Sequence, residues 1–93
     1  MIDRRQMRAF KALGNESRYQ ILRTLAGDGS PHCCQELIGQ LGLTPPAVSS
    51  HLRILENAEL IAVERRAGQL FLSLAHNDLA YQMAALVRRG PAA

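Results

Sequence analysis

Two groups of side chains in this 93-residue sequence are equipped for chemistry, and of different kinds. The first is His32-Cys33-Cys34, directly after the breaker Gly27-Asp28-Gly29-Ser30-Pro31. Vicinal thiols can clasp a soft ion such as As(III), while thiols beside an imidazole suit Zn(II) or Cu(I). A helix starting here would lower a thiol pKa and favour metal binding or oxidation; the opposing reading makes each cysteine a small apolar packing residue. As a nucleophile, Cys33 lacks an oriented base with a third supporting group, and 93 residues leave little room for a substrate cleft, so no enzyme is expected. The second group lies in Thr44–Arg53. Val48, Leu52 and Leu55 recur at i, i+4 and i+7, leaving Thr44, Pro46, Ala47, Ser49, Ser50, His51 and Arg53 off the apolar stripe. These residues are short, hydrogen-bonding or cationic, which suits close approach to base edges and phosphates.

The elements that position these groups follow from period and punctuation. Leu37, Ile38 and Leu41 define one helix, Gly42 can stop it in the left-handed conformation, and Leu43 plugs the turn. Thr44 is placed to cap the next helix, whose first turn tolerates Pro45 and Pro46 because its amides have no intrahelical partner. Together the two predict a helix-turn-helix. Upstream, residues 3 to 13 form an amphipathic helix with Met7, Ala9, Phe10 and Leu13 on one side and Arg4, Arg5, Arg8 and Lys11 on the other. A second helix, capped by Asn15, carries Tyr19, Ile21, Leu22 and Leu25. Downstream, Leu60–Arg66 and Leu70–Leu74 alternate as strands around Ala67-Gly68-Gln69. Asn77 caps a last helix with Leu79, Met83, Leu86 and Val87, which Gly90-Pro91 would end before a frayed tail over 90–93. The expected fold is mainly α with a small two-stranded hairpin, a winged helix-turn-helix of order ααααββα forming one domain over 1–93.

Composition fits a nucleic-acid partner. Eleven Lys+Arg against eight Asp+Glu give a net charge of +3, and ten of the eleven cations are Arg, the side chain that forks onto phosphate and guanine. Arg65, Arg66 and Gln69 on the wing could reach an adjacent minor groove or backbone, or only solvate an edge strand. Arg18 and Arg53 are phosphate anchors or surface ion-pair members, and His51 is a DNA contact or a packing residue bonded to nearby backbone. No apolar run approaches the roughly 18 residues of a spanning helix, and no signal-peptide core opens the chain, so a cytoplasmic, membrane-free location is expected. Two adjacent cysteines cannot build a disulfide framework and read as thiols. So small a domain gains from a dimer interface. A winged helix that binds protein instead of DNA is the rival function.

The stretches ALGNESRYQILRTL, QELIGQLGLTPPAVSSHLRILENAELI and VERRAGQLFLSL together resemble the ArsR/SmtB family of winged-helix transcriptional repressors over about residues 5 to 75. The resemblance implies a homodimer built from the first and last helices, about 3–13 and 77–89, with Met7, Phe10, Leu79, Met83 and Leu86 at its interface. It also implies an inverted-repeat operator in double-stranded DNA, released on inducer binding or thiol modification. Two positions depart from the family pattern: Glu59 stands where Gly is common before Leu60, and Gln69 where Arg or Lys is common after the turn. Of the family's sensing sites, a Cys-x-Cys at the start of the helix-turn-helix would place Cys33 in register but Gln35 on the second position, leaving Cys34 and His32 as the other donors. A zinc site on the last helix would use His76 and Asp78, but Arg88 and Arg89 occupy its later positions. His76 is then a helix-entry residue and Asp78 a first-turn dipole partner. Repression without metal sensing remains open on this reading.

Overall fold

The computed structural model describes residues 3–89, so the expected stop at Gly90-Pro91 and the tail beyond it lie outside the described residues. Within them the order is α1 (Arg4–Leu13), α2 (Glu16–Asp28), β1 (His32–Cys33), α3 (Cys34–Leu41), α4 (Pro45–Asn57), β2 (Ile61–Arg66), β3 (Gln69–Leu74) and α5 (Asp78–Arg88). The five helices and the hairpin are those expected. The sheet, however, has three strands in the order β1-β3-β2, all antiparallel, because His32 and Cys33 pair with Leu72 and Phe71. A two-residue strand shows no alternation, so the sequence carried no sign of it. Its effect is to bind the start of α3 to the wing.

Helix starts follow side-chain chemistry. Asp3 and Gln6 form a reciprocal capping box at α1, with Asp3 Oδ1 accepting from the Gln6 amide at 2.8 Å and Gln6 Oε1 accepting from the Asp3 amide at 3.0 Å. Asn15 and Asn77 cap α2 and α5, accepting from the Arg18 and Ala80 amides. Thr44 has the extended cap conformation, and its carbonyl accepts from the Val48 amide at 3.2 Å, but its hydroxyl makes no cap hydrogen bond. The capping expected of that side chain is therefore supplied by backbone alone. Pro46 has no amide to donate, so the hydroxyl loses one of its two usual partners.

Helix ends repeat one device. After α3, Gly42 is left-handed at φ 66°, and the Leu43 amide reaches back to the Ile38 carbonyl at 3.1 Å. After α4, Glu59 takes the same region at φ 64°, its amide bonding Glu56 and the Leu60 amide bonding Leu55 at 3.1 Å. This is a Schellman closure. Glu59 thus follows the path glycine would take, at a cost of about 1 to 2 kcal/mol for an L residue. Two contacts hold it there: Arg5 Nε donates to the Glu59 carboxylate at 3.2 Å, and Asn77 Nδ2 donates to the Glu59 carbonyl at 2.9 Å.

The core gathers Ile21, Leu22 and Leu25 of α2, Leu37, Val48, Leu52 and Leu55 of the helix-turn-helix, Leu60, Ile61 and Leu72 around the sheet, and Leu79, Met83 and Val87 of α5. Helix α5 lies along α2, fastened where Tyr19 Oη donates to the Val87 carbonyl and where Arg88 Nη1 donates to the Ala26 carbonyl at 3.0 Å. Leu79 and Met83, expected at a dimer interface, are 5% and 3% exposed and belong to the subunit's own core. The apolar face expected on α1 is also displaced: Ala9 and Ala12 are its fully buried residues, while Met7 and Phe10 stay 44% and 42% exposed. Apolar periodicity marks a face to be covered without saying whether the same chain covers it.

Candidate nucleic-acid interface

Helix α4 is anchored by Val48, Leu52 and Leu55, all buried, so its other edge must face away from the core. Thr44, Pro46, Ala47, Ser49, Ser50 and Arg53 are all exposed, and among the described residues Arg53 has no ion-pair partner. The outward edge expected from spacing is therefore present, with hydroxyls in its first two turns and a cation in its third. His51 differs from its neighbours. It is half-buried, and its Nδ1 lies 3.3 Å from Arg18 Nη1. Burial, and then the Arg18 charge, push its pKa down and favour the neutral ring. Arg18 has no ion-pair partner among the described residues; its Nε donates to the Ala12 carbonyl at 2.6 Å, bridging the end of α1 to α4. Nothing in the local sequence announces a pair 33 residues apart.

The wing turns through Ala67 and Gly68 at φ 49° and 81°, two left-handed residues between the paired Arg66 and Gln69, as in a type I′ hairpin. Gln69 is thus the first residue of β3 and not part of the turn. Strand alternation sends Arg65 and Arg66 to opposite faces. Arg66 grips Glu64 with two hydrogen bonds of 3.0 and 3.1 Å and lies 5.3 Å from the centre of the Phe71 ring, so much of its charge is spent within the wing. Arg65 has no ion-pair partner among the described residues and is the freer cation.

Arg65 also lines a cleft of about 290 Å³ between the start of α3 and the wing, with Cys33, Ile38 and Leu70 among its walls. The two cysteines differ sharply. Cys33 is half-buried at the cap position of α3, and Cys34 is 7% exposed and part of the core. Burial, and secondarily the neighbouring Cys33, push the Cys34 thiol up, the reverse of the lowering expected from a helix start. His32 is turned to Asp28, its Nε2 3.1 Å from Oδ1. The Ser30 amide and then His32 hold the Asp28 carboxyl down to about 2. Among the described residues no three His, Cys, Asp or Glu side chains converge as a metal site, and of the three candidate donors His32 is turned away to Asp28. His76 likewise is engaged elsewhere, its Nδ1 2.9 Å from Tyr81 Oη.

Comparison with known proteins agrees with this architecture. Residues 15–63, more than half the chain, match the profile described as bacterial regulatory protein, arsR family. An uncharacterized HTH-type transcriptional regulator of Methanocaldococcus jannaschii is 38% identical over 56 residues, which span 60% of this chain and 62% of that protein. YceK of Bacillus subtilis, also an uncharacterized HTH-type transcriptional regulator, is 35% identical over 71 residues, 74% of this chain and 71% of its own length. Among solved structures, HlyU from Vibrio cholerae matches with a TM-score of 0.81 at 29% identity, over 91% of this chain and 89% of that one. A homodimeric winged helix-turn-helix DNA-binding domain from Mycobacterium bovis matches with a TM-score of 0.77 at 26% identity, over 88% and 74%. The helix-turn-helix, its wing and these matches converge: the chain belongs to the ArsR family of bacterial regulatory proteins and is a winged helix-turn-helix transcriptional regulator.

Proposed function

We propose that this regulator works as a homodimeric repressor, in which two copies of α4 enter successive major grooves of an inverted-repeat operator and block a promoter. The observation that carries the reading is the exposed edge of α4 from Thr44 to Arg53, accompanied on the wing by Arg65, an exposed cation without an ion-pair partner among the described residues. Ser49, Ser50 and His51 would meet base edges or phosphates, while Arg53, Arg65 and Gln69 would meet backbone, with Arg66 weakened by Glu64. Dimerisation is supported by where the large exposed apolar side chains lie. Among the described residues they are Met7, Phe10, Ile54, Tyr81 and Leu86, and all but Ile54 sit on α1 or α5. The mycobacterial structural match is itself homodimeric. No described helix is long and apolar enough to cross a membrane.

Binding to fragments of the gene's own upstream region, measured against random duplex across salt concentrations, tests this. Arg53 and Arg65 from two subunits supply at least four phosphate contacts, so affinity should fall roughly 100-fold between 50 and 200 mM salt. Equal affinity for every fragment would instead favour a protein-interaction module.

Release is assigned to Cys33, the more exposed of the two thiols that line the cleft between the start of α3 and the wing. Alkylation with N-ethylmaleimide or oxidation there would push on Arg65 and Gln69 rather than on α4 directly. Alkylated protein should bind operator about 5- to 150-fold more weakly, the range of ordinary allosteric coupling, and Cys33→Ser should abolish the response. A response that persists in Cys33→Ser would remove the assignment. A soft metal ion, As(III) above all, would need a donor from outside this subunit, because His32 is held by Asp28.

A further inference from the structure

The Arg18–His51 contact has a consequence for what the recognition helix can read. A guanidinium has five N–H donors and no acceptor, so a hydrogen bond between Arg18 Nη1 and His51 Nδ1 at 3.3 Å requires Nδ1 to be the acceptor. The ring is neutral, for burial and the Arg18 charge both oppose a second proton. The single ring proton therefore sits on Nε2. Arg18 is itself fixed. Its amide donates to Asn15 Oδ1 at 3.1 Å and its Nε to the Ala12 carbonyl at 2.6 Å, one of the carbonyls left unpaired at the end of α1. A cation is poorly placed in the first turn of α2 but well placed at the end of α1, which accounts for where its charge has gone.

We infer that Arg18 is a positioning residue that locks His51 as the Nε2–H tautomer, so that the recognition helix offers at this point a hydrogen-bond donor and no acceptor. Among the described residues Nε2–H is the one polar group of the ring without a partner. On DNA it accepts only an acceptor: a phosphate oxygen, N7 of a purine, O6 of guanine or O4 of thymine. The amino groups of adenine and cytosine, which are donors, are rejected. Arg18 never touches the DNA, yet it fixes the sign of the contact. It also ties that sign to the end of α1, the helix whose Met7 and Phe10 are exposed. The inference rests on the DNA-binding reading for its use, but the tautomer is a property of the free protein.

Two experiments separate these layers. Nitrogen-15 spectra of the free wild-type protein at pH 7.5 should show His51 Nδ1 as unprotonated and Nε2 as protonated, and in Arg18→Met both resonances should move toward values averaged over the two tautomers. Unchanged amide spectra elsewhere would show that the variant is folded. An Nδ1–H tautomer, an imidazolium, or unchanged ring shifts in folded Arg18→Met would overturn the lock. In binding, His51→Gln, whose amide nitrogen can take the place of Nε2, should keep most of the affinity, and His51→Asn should lose about tenfold, the worth of one hydrogen bond to a charged or strong acceptor. A loss confined to the preferred sequence identifies a base acceptor, and an equal loss on random duplex a phosphate; both support the assignment. Equal affinity of His51→Asn and wild type would refute the contact while leaving the tautomer result standing.

Discussion

Replacing Phe10 and Leu86 together by Asp should yield a folded monomer that binds the operator at least about 100-fold more weakly than wild type. The two side chains are 42% and 51% exposed, so a charge at either leaves the subunit's own core intact. In an interface between copies the same charges would be buried without partners, which costs more than the contact they replace. A dimer reads two half-sites at once, whereas a monomer retains one set of contacts and falls toward the affinity of non-specific binding, several orders of magnitude weaker. Sedimentation equilibrium gives the state of association, and circular dichroism confirms that the helices persist. A double variant that remained dimeric, or kept wild-type affinity as a monomer, would show that α1 and α5 do not form the interface.

The second large effect concerns stability. Leu55→Ala should cost about 2 to 5 kcal/mol, the range for removing a fully buried leucine from a core that cannot collapse around the void. Leu55 is fully buried, and so is Leu60, the residue whose amide closes the α4 terminus onto the Leu55 carbonyl. The substitution therefore strikes both the packing of the recognition helix and the apolar pair that accompanies its closure. Against a typical total of about 5 to 15 kcal/mol, such a loss leaves a marginal domain. Ile54→Ala, one residue earlier on the 37% exposed side, should cost well under 1 kcal/mol. Urea denaturation at one fixed protein concentration compares them, since association stabilises the folded state. Similar losses at 54 and 55 would mean that α4 is rotated from the placement described.

The difference between those neighbours was legible in the sequence, because Val48, Leu52 and Leu55 repeat at the helical period and Ile54 does not. The same rule gave the outward edge of α4 and both strands of the wing. It could not tell which apolar residues the chain would cover itself. Leu79 and Met83 share a stripe with Leu86, yet the subunit's own core takes in only the first two, a matter of tertiary placement. The strand at His32–Cys33 was too short to carry a period, and its pairing with β3 is what separates a half-buried Cys33 from a core Cys34. Glu59 was illegible for another reason. Composition argues against a left-handed residue there, and only Arg5 and Asn77, distant in sequence, hold it in place. The His51 environment has the same origin, since Arg18 reaches it across 33 residues.

The most direct test is to select bound duplexes from a random pool with the intact protein and sequence them. Two outward α4 edges related by a two-fold axis should enrich an inverted repeat, its half-site centres about 10 base pairs apart or a whole multiple of that, with the half-site preference altered in a Ser49→Ala, Ser50→Ala variant. An unenriched pool, or one asymmetric site unaffected by changes on that edge, would contradict the claim that α4 reads DNA in a symmetric pair.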